Sequence, residues 1–310
     1  MLKKYIIFFI SIFFWLITAY RLSPSMYDLG YDFISTQEQF PNDVASGYGI
    51  WNWLSLFISS IGLDFDIYWI LISAIFGYSV YLYLKRFSSN SDFKQSKLLY
   101  FLLLLFLFGY VLPWYSFAHV RYGTAVLFSA AALTYKDKKY KYGTIFFAGL
   151  IHSLVFLFLA IYLIAKIKFV KKYFFQIMLP IGAISFFYKD KILLLMLSTL
   201  SYDNYTNDLL QFDSSSQNAI IVLRIIVISL AILFVVDKLG YSKVFLGILT
   251  ALYTVLAILT PFSGRFVELL YPNILPRLKT YNLSVLVVFF ILLLAESFFS
   301  IMRVIFHYDI

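Results

Sequence analysis

The chain has 310 residues, 62% hydrophobic and 13% charged, with a mean hydropathy of +0.85, whereas soluble domains are about 45–50% apolar and about 25% charged. It has no cysteine, which excludes disulfides, zinc thiolates and thiol catalysis. The formal net charge of +9 fits lysines gathered in cytoplasmic loops and gives no reason to expect nucleic acid.

Apolar runs recur along the whole length and are continuous, so they predict helices long enough to cross a hydrocarbon core of about 30 Å. A membrane barrel would alternate polar and apolar residues instead. The expected fold is an all-α, polytopic transmembrane bundle forming one integral membrane domain over residues 1–310. About eight to ten membrane helices are expected, including short re-entrant or interfacial pieces.

MLKKYIIFFISIFFWLITAYR opens on Lys3 and Lys4 and predicts a first membrane helix with its N-terminus inside. Read as a signal peptide, its apolar run is long and no A-x-A site follows. Residues 22–49 carry Asp28, Asp32, Glu38 and Asp43 and no basic residue, as an extracytoplasmic loop would. Ile50–Leu63 is short for a span and holds Trp51 and Trp53, so it predicts an interfacial or re-entrant helix. Asp64 and Asp66 then precede a good span, Ile67–Leu84, which ends at Lys85–Arg86.

Loop charge tests the topology. If Ile50–Leu63 does not cross, Lys85, Arg86 and the KDKKYK at 136–141 all lie inside; if it crosses, both basic loops move outside. The positive-inside rule favours the first. Residues 97–112 then run outward and 117–135 return. Tyr142–Ala165 has basic flanks on both sides. It either crosses against the charge rule or enters and returns as a hairpin broken near Gly149–Ser153. The polar centre His152–Ser153 supports the hairpin. Phe174–Tyr188 runs outward to an acidic, Ser/Asn-rich loop at 189–218, and Ala219–Val236 returns with Arg224 near its outer end. Tyr241–Thr260 leads to an outer segment holding Arg265, Glu268 and Arg277, and Tyr281–Ser300 comes back in.

Pro113–Tyr135 places His119 and Arg121 at the head of an apolar helix. An arginine at a membrane-helix centre costs about 2.5–3.5 kcal/mol, less toward the ends. Arg121 either snorkels to the headgroups or binds a phosphate or pyrophosphate bidentately. Gly123, Ala125, Ser129 and Ala132 behind it would let neighbouring helices approach closely. Arg265 follows Pro261 and Gly264 at a break in the apolar pattern. Arg224, inside IIVLRIIVI, binds a ligand or pairs with Glu268 or a loop aspartate. All three arginines fall near the outer face in this topology. His152 is either a hydrogen-bonded packing residue or a proton acceptor at a re-entrant tip. The loop carboxylates are solvated charges, or one is a base or metal ligand. Asp64-x-Asp66 is a weak match to the D-x-D of sugar transferases. No nucleotide-binding, nucleophile-elbow or zinc-protease motif occurs.

These features in this order resemble the EpsG family, Wzy-like membrane proteins of bacterial exopolysaccharide, capsule and O-antigen assembly. The likeness is carried by Gly30-Tyr31-Asp32 with Phe40, by the I-G-L that closes Ile50–Leu63, and by FAHVRYGTAVLFSAAALTY (117–135). KDKKYKYGTIFFAGLIHSLVFLFLAIYLI (136–164) and SGRFVELLYP (263–272) complete it. His119 and Tyr122 stand where the family often has Asn and Gln, and the acidic residue often preceding the second segment is missing around Ser46–Tyr48.

The resemblance implies a GT-C-like bundle in the bacterial cytoplasmic membrane that acts as a polysaccharide polymerase. Such an enzyme joins polyprenyl-pyrophosphate-linked oligosaccharides at the outer face. Arg121, Arg265 and Arg224 would hold the pyrophosphate, and Asp32 or His152 would serve as the base. No cofactor is expected, with a divalent metal left open. The expected partners are the lipid-linked oligosaccharide, membrane lipid, a flippase and a chain-length regulator. The competing readings are a flippase for the same lipid-linked sugars and a membrane acyltransferase that modifies the polysaccharide.

Overall fold

A computed structural model of the chain describes residues 2–20, 31–42, 49–87, 107–117, 119–135, 137–170 and 172–173, together with residues 104, 248, 272 and 291. These residues form helices and turns, with no strand among them. The chain divides into two compact units, Met1–Leu159 and Ala160–Ile310. The architecture below is that of the first.

Its helices are α1 (Leu2–Tyr20), α2 (Tyr31–Gln39), α3 (Gly49–Ser60) and α4 (Phe65–Phe87), then a π-helical turn (Leu107–Val111) leading into α5 (Leu112–Phe117). α6 (Val120–Ala132), α7 (Lys138–Ile151) and α8 (Leu154–Ile164) follow, the last running across the unit boundary. Among the described residues, α4 is the helix long and apolar enough to cross a membrane.

Local chemistry fixes the ends of these helices. α3 stops because Gly62 adopts φ +79. The Leu63 and Gly62 amides then donate back to the Ile58 and Ser59 carbonyls at 3.1 and 3.0 Å, the paired bonds of a Schellman stop. α3 is therefore 12 residues, about 18 Å, and the short segment expected from Ile50–Leu63 is observed as a short helix. Asp64 then caps α4, accepting from the Ile67 amide at 3.3 Å. Asp137 caps α7 through the Lys139 amide at 2.8 Å, so Lys138, Lys139 and Lys141 lie in the first turn of α7 and not in a loop. Residues 22–49, expected as a loop, contain α2.

Ring and hydrogen-bond pairs give the helix directions. The Trp69 indole donates to the Thr18 carbonyl at 2.9 Å, while a Cβ on Gly77 would lie 2.8 Å from Trp15 Cβ. Numbers rise along α4 as they fall along α1, so the two are antiparallel. Tyr78 faces Phe128 at 6.1 Å and the Arg86 guanidinium sits 4.2 Å over the Tyr135 ring, so α6 runs parallel to α4. Phe128 meets Phe147 at 5.6 Å and Tyr122 meets His152 at 5.0 Å, so α7 is antiparallel to α6. The start of α1, the end of α4 and the start of α7 therefore share one end of the unit. That end collects the segments bearing Lys3, Lys4, Lys85, Arg86 and Lys138–Lys141.

The opposite end gathers the starts of α4 and α6 and the tip of α7. α2 lies there too: Phe33 packs edge-on against Phe65 and Trp69 at 5.1 and 4.9 Å, and Phe40 meets Tyr68 at 5.6 Å. α3 joins through Ser55, whose hydroxyl donates to the Pro41 carbonyl at 2.6 Å. α6 is the core. Every residue from Val120 to Ala132 is buried, between α4, α5 and α7. Thr124 and Ser129 return their hydroxyl protons to carbonyls of their own helix at 2.7 and 2.8 Å, so neither is a buried orphan.

The apolar run 142–165 is interrupted where its polar centre suggested. His152 leaves helical geometry at φ −152, ψ 123. Residues 146 and 156 would be about 15 Å apart along a straight helix, yet the Phe146 and Phe156 rings meet at 5.8 Å. A Cβ on Gly149 would come within 2.5 Å of the Phe156 ring. The helix therefore breaks and the chain bends sharply at His152–Ser153. The expected spans from residue 174 onward, and most of 97–112, lie outside the described residues.

Candidate functional site

Arg121 stands in the first turn of α6, 5% exposed. The sequence suggested one helix beginning before His119; the structure starts it at Val120. His119, at φ −138 and ψ 59, is the N-cap residue and makes no side-chain capping bond. This matters electrostatically. A helix start carries partial positive charge from its unsatisfied amides, and Arg121 adds a full charge in a buried position. A helix start beside a guanidinium suits an anion.

The turn ahead of α6 is set by α5. Pro113 sits in the first turn of α5, where its missing amide costs little, and the widened π turn ends just before it. α5 then lies across the start of α6. A Cβ on Gly123 would come within 2.5 Å of Tyr115 Cβ and Cγ, so only glycine allows this approach. Tyr115 is thereby set edge-on to Tyr122 at 6.4 Å.

Tyr122 connects the aromatic groups here. Its ring meets His119 at 6.5 Å and His152 at 5.0 Å, both edge-on. The break that ends α7 thus lies beside the turn that carries Arg121. The Leu154 amide donates to His152 Nδ1 at 3.3 Å. A neutral imidazole whose Nδ1 accepts a hydrogen bond carries its proton on Nε2, so this ring offers a donor. The tip of α7 is tied to α3: the Trp51 indole donates to the Ile151 carbonyl at 2.9 Å, and the Tyr68 hydroxyl donates to the Trp51 carbonyl at 3.2 Å.

Of the residues singled out in the sequence, His152 packs against Tyr122, the residue that follows Arg121 in α6. Asp32 is the second residue of α2, and α2 packs on the start of α4, so its backbone belongs to the same end of the unit. Arg224 and Arg265 lie outside the described residues. Asp64-x-Asp66 has a structural explanation, since Asp64 caps α4 and Asp66 is exposed. Among the described residues no group of three or more histidines and carboxylates could hold a metal ion. The side-chain oxygens of Gln39 and Asn52, at the α2–α3 junction, are buried and accept no hydrogen bond among the described residues.

Sequence reasoning missed Trp51, Tyr115 and Tyr122 as parts of this end. Trp51 read as an interfacial aromatic, and nothing along the chain signals that residue 51 meets residue 151. Tyr122 had a signal, its place directly after Arg121.

No curated protein and no solved structure matches the chain. A family model described as the EpsG family matches residues 4–308. With that match over nearly the whole length of an all-helical fold, the chain belongs to the EpsG family, membrane proteins of exopolysaccharide biosynthesis.

Proposed function

We propose that this protein is the polymerase that joins lipid-pyrophosphate-linked oligosaccharide repeats at the outer face of the bacterial cytoplasmic membrane. The observation that carries the reading is Arg121: a buried guanidinium in the first turn of α6, at the end opposite the basic helix ends. Basic ends face the cytoplasm, so Arg121, His152 and α2 face outward.

In the proposed reaction an acceptor sugar hydroxyl attacks the anomeric carbon of the lipid-linked donor. A new glycosidic bond forms, the bond from that carbon to the pyrophosphate oxygen breaks, and its electron pair leaves with the polyprenyl pyrophosphate. Arg121 holds the charge that develops there, with Arg265 and Arg224 as further ligands. The hydroxyl proton passes to a carboxylate, for which Asp32 is the candidate. His152 was a candidate base in the sequence; its Nδ1 contact suits it better to donate from Nε2 toward the leaving oxygen. The buried oxygens of Gln39 and Asn52 suit donors of the kind a glycan hydroxyl supplies. A flippase would deliver the repeats, and a chain-length regulator would set the product size.

The test is replacement of Arg121 by Ala in cells, with glycan length and lipid-linked intermediates measured together. Loss of long chains with single repeats gathering on the outer leaflet is the expected result. Polymer of normal length would refute the reading. Repeats trapped on the cytoplasmic leaflet would indicate a flippase, and intact polymer lacking acyl groups would indicate an acyltransferase.

A further inference from the structure

Trp51 is 1% exposed, yet it belongs to a 12-residue helix whose other face is open, Trp53 being 76% exposed. Its indole N–H reaches across 100 positions to the Ile151 carbonyl. Ile151 is the last residue of α7, and the last carbonyls of a helix have no partner within it. Helices commonly satisfy such carbonyls with a following glycine. Here His152 and Ser153 follow, and a tryptophan from another helix supplies a donor.

The Trp51 backbone is itself held, its carbonyl accepting from the Tyr68 hydroxyl at the start of α4. On the far side of the same joint, the His152 amide still closes onto the Ala148 carbonyl at 3.0 Å, and the His152 ring meets Tyr122. A connected path therefore runs from Tyr68 through Trp51 and Ile151 to His152 and Tyr122.

We infer that Trp51 is a positioning residue: by capping α7 from outside, it fixes where the helix stops and so sets His152 against the turn that carries Arg121. This inference rests on the polymerase reading for its effect on the product but not for its effect on structure.

Two measurements test it on the full-length chain. The chain has no native cysteine, so single reporters can be placed cleanly in purified protein in detergent. Ser153→Cys reports the joint, and Ser79→Cys, at a fully buried position of α4, reports general loosening. Trp51→Phe keeps an aromatic ring and removes the N–H. It is expected to raise maleimide labelling of Ser153→Cys about fivefold or more, the scale of one unsatisfied buried carbonyl, and to leave Ser79→Cys unlabelled. Tyr68→Phe should act in the same direction with a smaller increase.

The second measurement is polymer length in cells. Trp51→Phe should shorten the product, and Trp51→Phe combined with His152→Ala should be no worse than His152→Ala alone, because the two act through one group. Unchanged labelling of Ser153→Cys overturns the inference. So does a parallel rise at both reporters, or a double variant clearly worse than His152→Ala. If His152→Ala leaves polymer normal, the role of His152 in polymerisation fails, and the labelling result still decides whether Trp51 sets the joint.

Discussion

Replacing Gly123 by Ala sets two known effects against each other. Helix propensity alone favours alanine by about 0.8–1.0 kcal/mol. Against it stands Tyr115, whose Cβ and Cγ would lie 2.5 Å from the new methyl and whose Cδ1 would lie 2.9 Å away. Ordinary contact begins near 3.4 Å, so the two groups must separate by roughly 1 Å. The clash begins at Tyr115 Cβ, so no rotation of the ring relieves it, and α5 itself must move. Overpacking of this kind costs about 1–3 kcal/mol, and because the clash falls on Cβ the upper half of that range applies, which leaves a net loss of up to about 2 kcal/mol after the propensity gain. Gly143 in α7 is the control, because a Cβ there meets nothing within 4 Å. Thermal unfolding of the purified protein in detergent should show Gly123→Ala below the wild type and Gly143→Ala at or above it. Moving α5 also disturbs the first turn of α6, so Gly123→Ala should shorten the polymer. A Gly123→Ala protein as stable as the wild type would show that Tyr115 does not cross the head of α6, and the site geometry would fall with it.

Arg121→Lys keeps the charge and loses the planar fork; polymer length should drop nearly as far as with Arg121→Ala, and full rescue by lysine would show that a point charge suffices. Gly62→Ala forces an alanine to φ +79, which should cost about 1–2 kcal/mol. The same unfolding assay would show this loss, and a neutral result would mean that α3 does not end in the stop described above.

The short segment Ile50–Leu63 was legible because its stop is local: Ile61, Gly62 and Leu63 make the turn among themselves. The break at His152 was legible for a related reason, since a polar pair inside an apolar run weakens a continuous helix. The start of α6 was not. The mixed apolar, aromatic and polar residues across 112–123 gave no boundary, and the break comes from Tyr115 crossing Gly123, a contact between helices. α2 was hidden because nine mostly polar residues in an acidic stretch look like any loop. Its helix is held by Phe33 and Phe40 on α4. Trp51 is the clearest limit, because periodicity carries no information about a donor and acceptor 100 positions apart.

The stop of α7 at His152 has an electrical consequence. α7 has 14 residues, about 21 Å of helix, against a hydrocarbon core of about 30 Å. In the proposed orientation it fills the cytoplasmic depth and stops short of the outer surface, beside an α6 that is buried throughout. Insulation, and with it most of the voltage drop, then sits on the cytoplasmic side of Arg121. A pyrophosphate arriving from the outer leaflet would traverse little of the field, which acts with about 2.3 kcal/mol per charge per 100 mV across the full membrane. Joining of repeats already on the outer leaflet should therefore proceed at the same rate after an ionophore collapses the membrane potential, and a steep dependence would place the site deeper.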